Sequence, residues 1–136
     1  MIAFIAGDKG SGKTKKLIDM ANFEASKDEM SLVYIDRKDN HRREIVNSIR
    51  FIDLSEFYIF SWEMFFGFLN GLISGNYDIG KIYIDNIEKT ANVDSVEKLD
   101  DFFAAASKLS DKYGVEFVFT INSKDIPKQF KDNAKL

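Results

Sequence analysis

The chain has 136 residues, enough for one domain around one hydrophobic core, here residues 1–136. Hydrophobic residues make up 45% and charged residues 30%, as in ordinary globular proteins, and a net charge of −3 gives no overall pull toward nucleic acid or an anionic membrane. The absence of cysteine excludes disulfides, iron–sulfur clusters and thiolate zinc sites, and His41 as the only histidine leaves no basis for a histidine-built metal centre.

Taken in chain order, Ile2–Ala6 is a short apolar run that predicts a buried strand. Met1 leads directly into it, which leaves no room for a signal peptide, so a cytoplasmic protein is expected. Gly7–Thr14 is a glycine-rich turn, and Lys15–Lys27 predicts a helix with Leu17, Ile18, Ala21 and Ala25 on one face. Ser31–Ile35 predicts a second strand ending at Asp36. Residues Arg37–Asn47 are polar and charged, a loop with a helical turn, and Phe51–Leu54 reads as a short strand. Ser61–Ser74 predicts a helix closed by Gly75, and Lys81–Ile84 a strand ending at Asp85. Ser95–Tyr113 is the clearest helix: Val96, Leu99, Phe102, Phe103, Ala106 and Leu109 recur at helical spacing, Asp94 or Ser95 caps its start and Gly114 ends it. Val115–Ile121 is the last strand, and Pro127 opens a short C-terminal helix or tail. Strands alternating with helices predict an α/β fold with a mostly parallel sheet.

Gly7-Asp8-Lys9-Gly10-Ser11-Gly12-Lys13-Thr14 fits G-x-x-x-x-G-K-[ST], the phosphate-binding P-loop, between a strand and a helix as that motif requires. Glycines let the backbone turn its N–H groups inward around a phosphate, and the N-terminus of the next helix adds partial positive charge. In this reading Lys13 reaches the β- and γ-phosphates of a nucleoside triphosphate and the Thr14 hydroxyl ligates Mg²⁺. Ile82-Tyr83-Ile84-Asp85 is an apolar strand ending in a carboxylate, the Walker B pattern, and makes Asp85 the second magnesium residue. The strand segment Phe117–Asn122 also ends in polar residues, Thr120 and Asn122.

On these three signals the chain resembles the ASCE division of P-loop NTPases, from Met1 to about Ile121. More narrowly it resembles small bacterial single-domain ATP-binding proteins loosely labelled twitching-motility-type ATPases, without the extra motifs or second domain of pilus motors. The resemblance implies a three-layer α/β sandwich of the P-loop NTPase fold. It also implies a polar sensor at Thr120 or Asn122, on an extra strand between the P-loop and Walker B strands. The expected strand neighbours are Ile2–Ala6, Val115–Ile121, Lys81–Asp85 and Ser31–Asp36, in that order. The chain departs from the family at Asn86, where a water-activating glutamate is usual. Glu88, a turn later, or Asp36, as in recombinase-like members, stands as the catalytic carboxylate. No strand follows the sensor strand, which leaves Ile2–Ala6 at a sheet edge, covered by Ile126–Leu136 or by a second subunit.

The implied function is Mg²⁺-dependent ATP binding with slow or partner-stimulated hydrolysis. No N-K-x-D guanine signature is present. The alternatives are a nucleotide-gated binding module and, lower, a nucleoside or small-molecule kinase. A thymidine-kinase-like enzyme would need the zinc lobe and lasso that this chain lacks. Arg37–Arg43 is a basic cluster that reads first as a solvated loop, with phosphate, polynucleotide or arginine-finger contact as the functional alternative. The aromatic run Phe57–Leu69 is too interrupted to span a bilayer and reads as a helix buried on the sheet, or as a partner or self-association surface.

Overall fold

Apolar runs bounded by turns give the strands. In the computed structural model, which describes residues 1–133, β1 (Ile2–Gly7), β2 (Ser31–Asp36), β3 (Arg50–Asp53), β4 (Ile79–Ile84) and β5 (Glu116–Asn122) form a single sheet. All pairings are parallel and the spatial order is β1-β5-β4-β2-β3. The four strands expected as neighbours therefore stand in the expected order. The segment near Phe51–Leu54 pairs outside β2, as Val33↔Arg50 through Asp36↔Asp53.

Parallel strands need crossovers, and helices supply most of them. They are α1 (Lys13–Ser26), α2 (Trp62–Ser74), the single-turn α3 (Ile87–Thr90) and α4 (Val96–Tyr113). The boundaries have local causes. Ser61 and Ser95 each accept a hydrogen bond from the backbone N–H three residues on, at 3.2 Å, and so fix the starts of α2 and α4. The loop Arg37–Asn47 carries a 3₁₀ turn at Arg42–Glu44, and the tail a 3₁₀ turn at Lys128–Phe130 just after Pro127.

Side chains alternate between two faces of the sheet. Ile2, Phe4, Val33, Ile35, Ile82, Ile84, Phe117 and Phe119 join the core under α2 and α4. Ile5, Leu32, Tyr34, Tyr83 and Val118 join the core under α1, with its buried Leu17, Ile18 and Ala21. Helices thus flank both faces. The first core is aromatic: Phe4 meets Phe103 edge-on at 4.9 Å, and Phe117 stacks on Phe119 at 5.9 Å.

The aromatic run divides where α2 begins. Phe65 and Leu69 within α2 are buried on the sheet, while Phe57, Tyr58 and Phe60 before it are exposed. At the sheet edge β1, the tail returns as one of the two expected covers. Phe130 packs on Phe4 and Phe103, with ring centroids 6.4 and 5.7 Å apart, and the Asn133 amide donates to the Ile2 carbonyl at 3.4 Å. The last residues of the expected cover, 134–136, lie outside the described residues. Among the described residues no helix is long and apolar enough to cross a membrane.

Candidate functional site

The carboxyl ends of β1, β5, β4 and β2 converge on one rim, the place where open parallel sheets hold ligands. The loop Gly7–Thr14 leaves β1 there and enters α1. Gly10 and Gly12 adopt φ of 83° and 87°, a left-handed conformation that side chains with a Cβ resist. Gly12 is the N-cap, so the first N–H groups of α1 open onto the rim without a side-chain cap. Asp8 accepts the Ser11 N–H at 3.1 Å, which tightens the loop.

Register brings the partners together. Gly7 pairs with Asn122, and Ile84 with Phe119. The Lys13 ammonium donates to the carbonyls of Gly7 at 3.0 Å and Asp8 at 3.1 Å, and lies 3.4 Å from the Asn122 side-chain oxygen. The Thr14 hydroxyl donates to Asp85 at 2.9 Å. Asp85 is buried, and its other oxygen accepts the Thr120 hydroxyl at 2.5 Å. Thr120 in turn accepts the Asn86 N–H at 2.6 Å, and the Thr90 hydroxyl donates to the Asp85 carbonyl at 2.6 Å. Thr120 and Asn122, alternatives in the sequence, share one side of β5 because residues two apart on a strand do. The first supports Asp85 and the second faces Lys13.

Glu88 stands on α3, where its carboxylate accepts the Asn122 N–H at 2.8 Å. Burial raises its pKa above the usual carboxylate value; the Asn122 N–H opposes this and neighbouring Asp125 adds to it. Asp36 ends β2 and accepts the Arg37 N–H at 2.7 Å. Burial, then the charge of Asp85, pushes its pKa up as well.

Lys9, Gly10, Gly12, Lys13, Thr14, Asp85, Glu88, Thr120 and Asn122 line one cleft of about 460 Å³. Asp36 lies outside it, in an adjoining cleft of about 310 Å³ with Arg37, Lys38 and His41, and the two share Thr14, Asp85, Asn86 and Lys89. Arg42 is engaged elsewhere, 4.8 Å over the Phe51 ring. Among the described residues no three acidic or histidine side chains gather as a metal cage. The touching hydroxyl and carboxylate of Thr14 and Asp85 nonetheless fit Mg²⁺, which takes one or two protein oxygens and fills its shell with water and phosphate oxygens. Sequence reasoning missed Thr90 and Lys89, because a helix of one turn shows no period. The only available signal was a strand-end aspartate followed by a short polar run. No family model and no curated protein matches the chain.

Proposed function

We propose that the chain is a P-loop-type protein that binds ATP with Mg²⁺ and hydrolyses it slowly, or on stimulation by a partner. The observation that carries this reading is the contact of Thr14 with Asp85 beside Lys13 on one cleft, two signals far apart in sequence meeting at one place. The position of β5 between β1 and β4 supports the ASCE-type fold. In this reading the loop N–H groups and Lys13 hold the phosphates, and Thr14 and Asp85 hold Mg²⁺, which neutralises phosphate charge. Thr120 orients Asp85, and Asn122 positions Lys13 and Glu88. Glu88 is the better base of the two carboxylates, because it borders the phosphate cleft and Asp36 does not. Its raised pKa suits a group that takes a proton from the attacking water as that water's oxygen bonds to the γ-phosphorus and the β–γ bridge breaks.

A nucleotide-gated module that binds without efficient hydrolysis is the second reading. Asn86 favours it, since an amide there abstracts no proton, and so does the engagement of Glu88 by the Asn122 N–H.

A thermal-shift experiment tests the binding. Mg²⁺ and ATP together are expected to raise the melting temperature, because a ligand of the native state stabilises it by mass action. Asp85→Asn is expected to lose the Mg²⁺-dependent part of that gain. Equal shifts in both proteins would remove Asp85 from the metal site. Phosphate release, with and without candidate partners, then separates the ATPase from the binder.

A further inference from the structure

The segment joining β3 to α2 leaves three aromatic rings in solvent. Phe57, Tyr58 and Phe60 are 48%, 85% and 66% exposed. Tyr58 and Phe60 lie side by side, with centroids 6.2 Å apart. The segment is pinned at three points. The Ser55 N–H donates to the Arg37 carbonyl at 3.1 Å, Ser61 caps α2, and the Asn92 amide donates to the Phe60 carbonyl. The rings are therefore held out rather than left loose.

Cations stand beside them. Arg37, Lys38 and Lys89 line one cleft of about 350 Å³ together with Phe57, Ile59 and Phe60. None of the ion pairs among the described residues uses these three cations, and no described Asp or Glu lines the cleft. Exposed aromatic faces next to uncommitted cations match a ligand that carries planar rings and regularly spaced negative charge. Single-stranded nucleic acid has both, whereas in a duplex the base faces are already stacked. An acidic peptide would answer the cations and leave Tyr58 and Phe60 without planar partners.

We propose that this cleft, extended by the Tyr58 ring beside Phe60 on its rim, binds single-stranded nucleic acid, with bases on Phe60 and Tyr58 and backbone phosphates on Arg37, Lys38 and Lys89. The surface is local, so the net negative charge of the whole chain does not forbid it. The proposal goes beyond ATP binding and does not depend on it, since no residue of Gly7–Thr14 lines this cleft. Lys89 borders both clefts and joins the two sites.

The test is fluorescence anisotropy of a labelled oligothymidylate of about 20 nucleotides, longer than the footprint of most such surfaces. Binding is expected at about 50 mM salt, weakening steeply toward about 200 mM. Tyr58→Ala and Phe60→Ala are each expected to weaken it at least about fivefold. Lys38→Ala and Lys89→Ala should each reduce the slope of log affinity against log salt by about 0.7. Tyr58 and Phe60 are exposed, so unchanged melting temperatures verify that the variants fold. Lys13→Ala, which disables the triphosphate cleft, should keep the oligonucleotide affinity, while a duplex of the same length should bind more weakly. No anisotropy change at low salt would overturn the proposal, as would binding that survives the Tyr58→Ala, Phe60→Ala double substitution. Loss of binding in Lys13→Ala would place the oligonucleotide's phosphates in the triphosphate cleft instead. An acidic peptide that displaces the oligonucleotide, and itself loses affinity in Phe60→Ala, would assign the surface to a protein partner.

Discussion

Glu88 sits between Asn122 and Asp125, and its carboxyl holds a proton more tightly in the folded chain than in the unfolded one. A raised folded pKa contributes stability below the unfolded value and loses it as pH rises through the folded value. Ionised Glu88 is therefore a cost at neutral pH. Glu88→Gln keeps an acceptor for the Asn122 N–H and removes the charge. In metal-free, nucleotide-free protein this variant is expected to melt higher than wild type at pH 7, with the difference vanishing below about pH 4. The same change should cut ATP turnover by about two to four decades while ATP binding persists. Asp36→Asn should shift stability in the same direction, because burial and Asp85 raise the pKa of Asp36 too, but should leave turnover intact. Melting curves across pH, paired with phosphate release, check both variants. Turnover lost in Asp36→Asn and kept in Glu88→Gln would exchange the roles. The contiguous loop Gly7–Thr14 and the strand-end Asp85 were legible because each is a local pattern. Thr90 and Lys89 were not, since their placement depends on α3 folding back over β5 through the bonds to Asn86 and Glu88.

At the scale of elements, the strand order followed from alternating strand and helix signals plus the resemblance. The pairing of β3 was less legible. It is four residues long, and its first, Arg50, is exposed, so it shows little of the apolar run that marks β4. The aromatic run was legible only in part. The helix start at Ser61 was readable from its cap, but ring density alone left open which rings are buried: those after Ser61 divide between core and surface, and those before it face water. The tail is the element whose role a single substitution tests best. Phe130 is 8% exposed and closes the aromatic core against Phe4 and Phe103. Phe130→Ala should cost about 3 kcal/mol, by loss of buried ring and creation of a cavity under α4. Urea unfolding measures this; an unchanged midpoint would mean that the tail contributes nothing to the core.

For the whole molecule, one rim of one sheet carries nearly all the polar chemistry: two hydroxyls on Asp85, the Lys13 ammonium across the loop, and two carboxylates with raised pKa values. Away from that rim the sheet buries apolar side chains on both faces, with the Lys81–Glu24 and Lys81–Glu116 ion pairs at its opposite end. Among the described residues Lys13 bonds only to loop carbonyls and the Asn122 amide, so its removal should cost little stability. The most direct measurement of the central claim is isothermal titration of Mg²⁺ and ATP into wild type and Lys13→Ala. Saturable one-to-one binding is predicted for wild type, with affinity falling about ten- to a hundredfold in Lys13→Ala at an unchanged melting temperature, the worth of a charged hydrogen bond to phosphate. The same affinity in both proteins, or no binding by wild type, would contradict it.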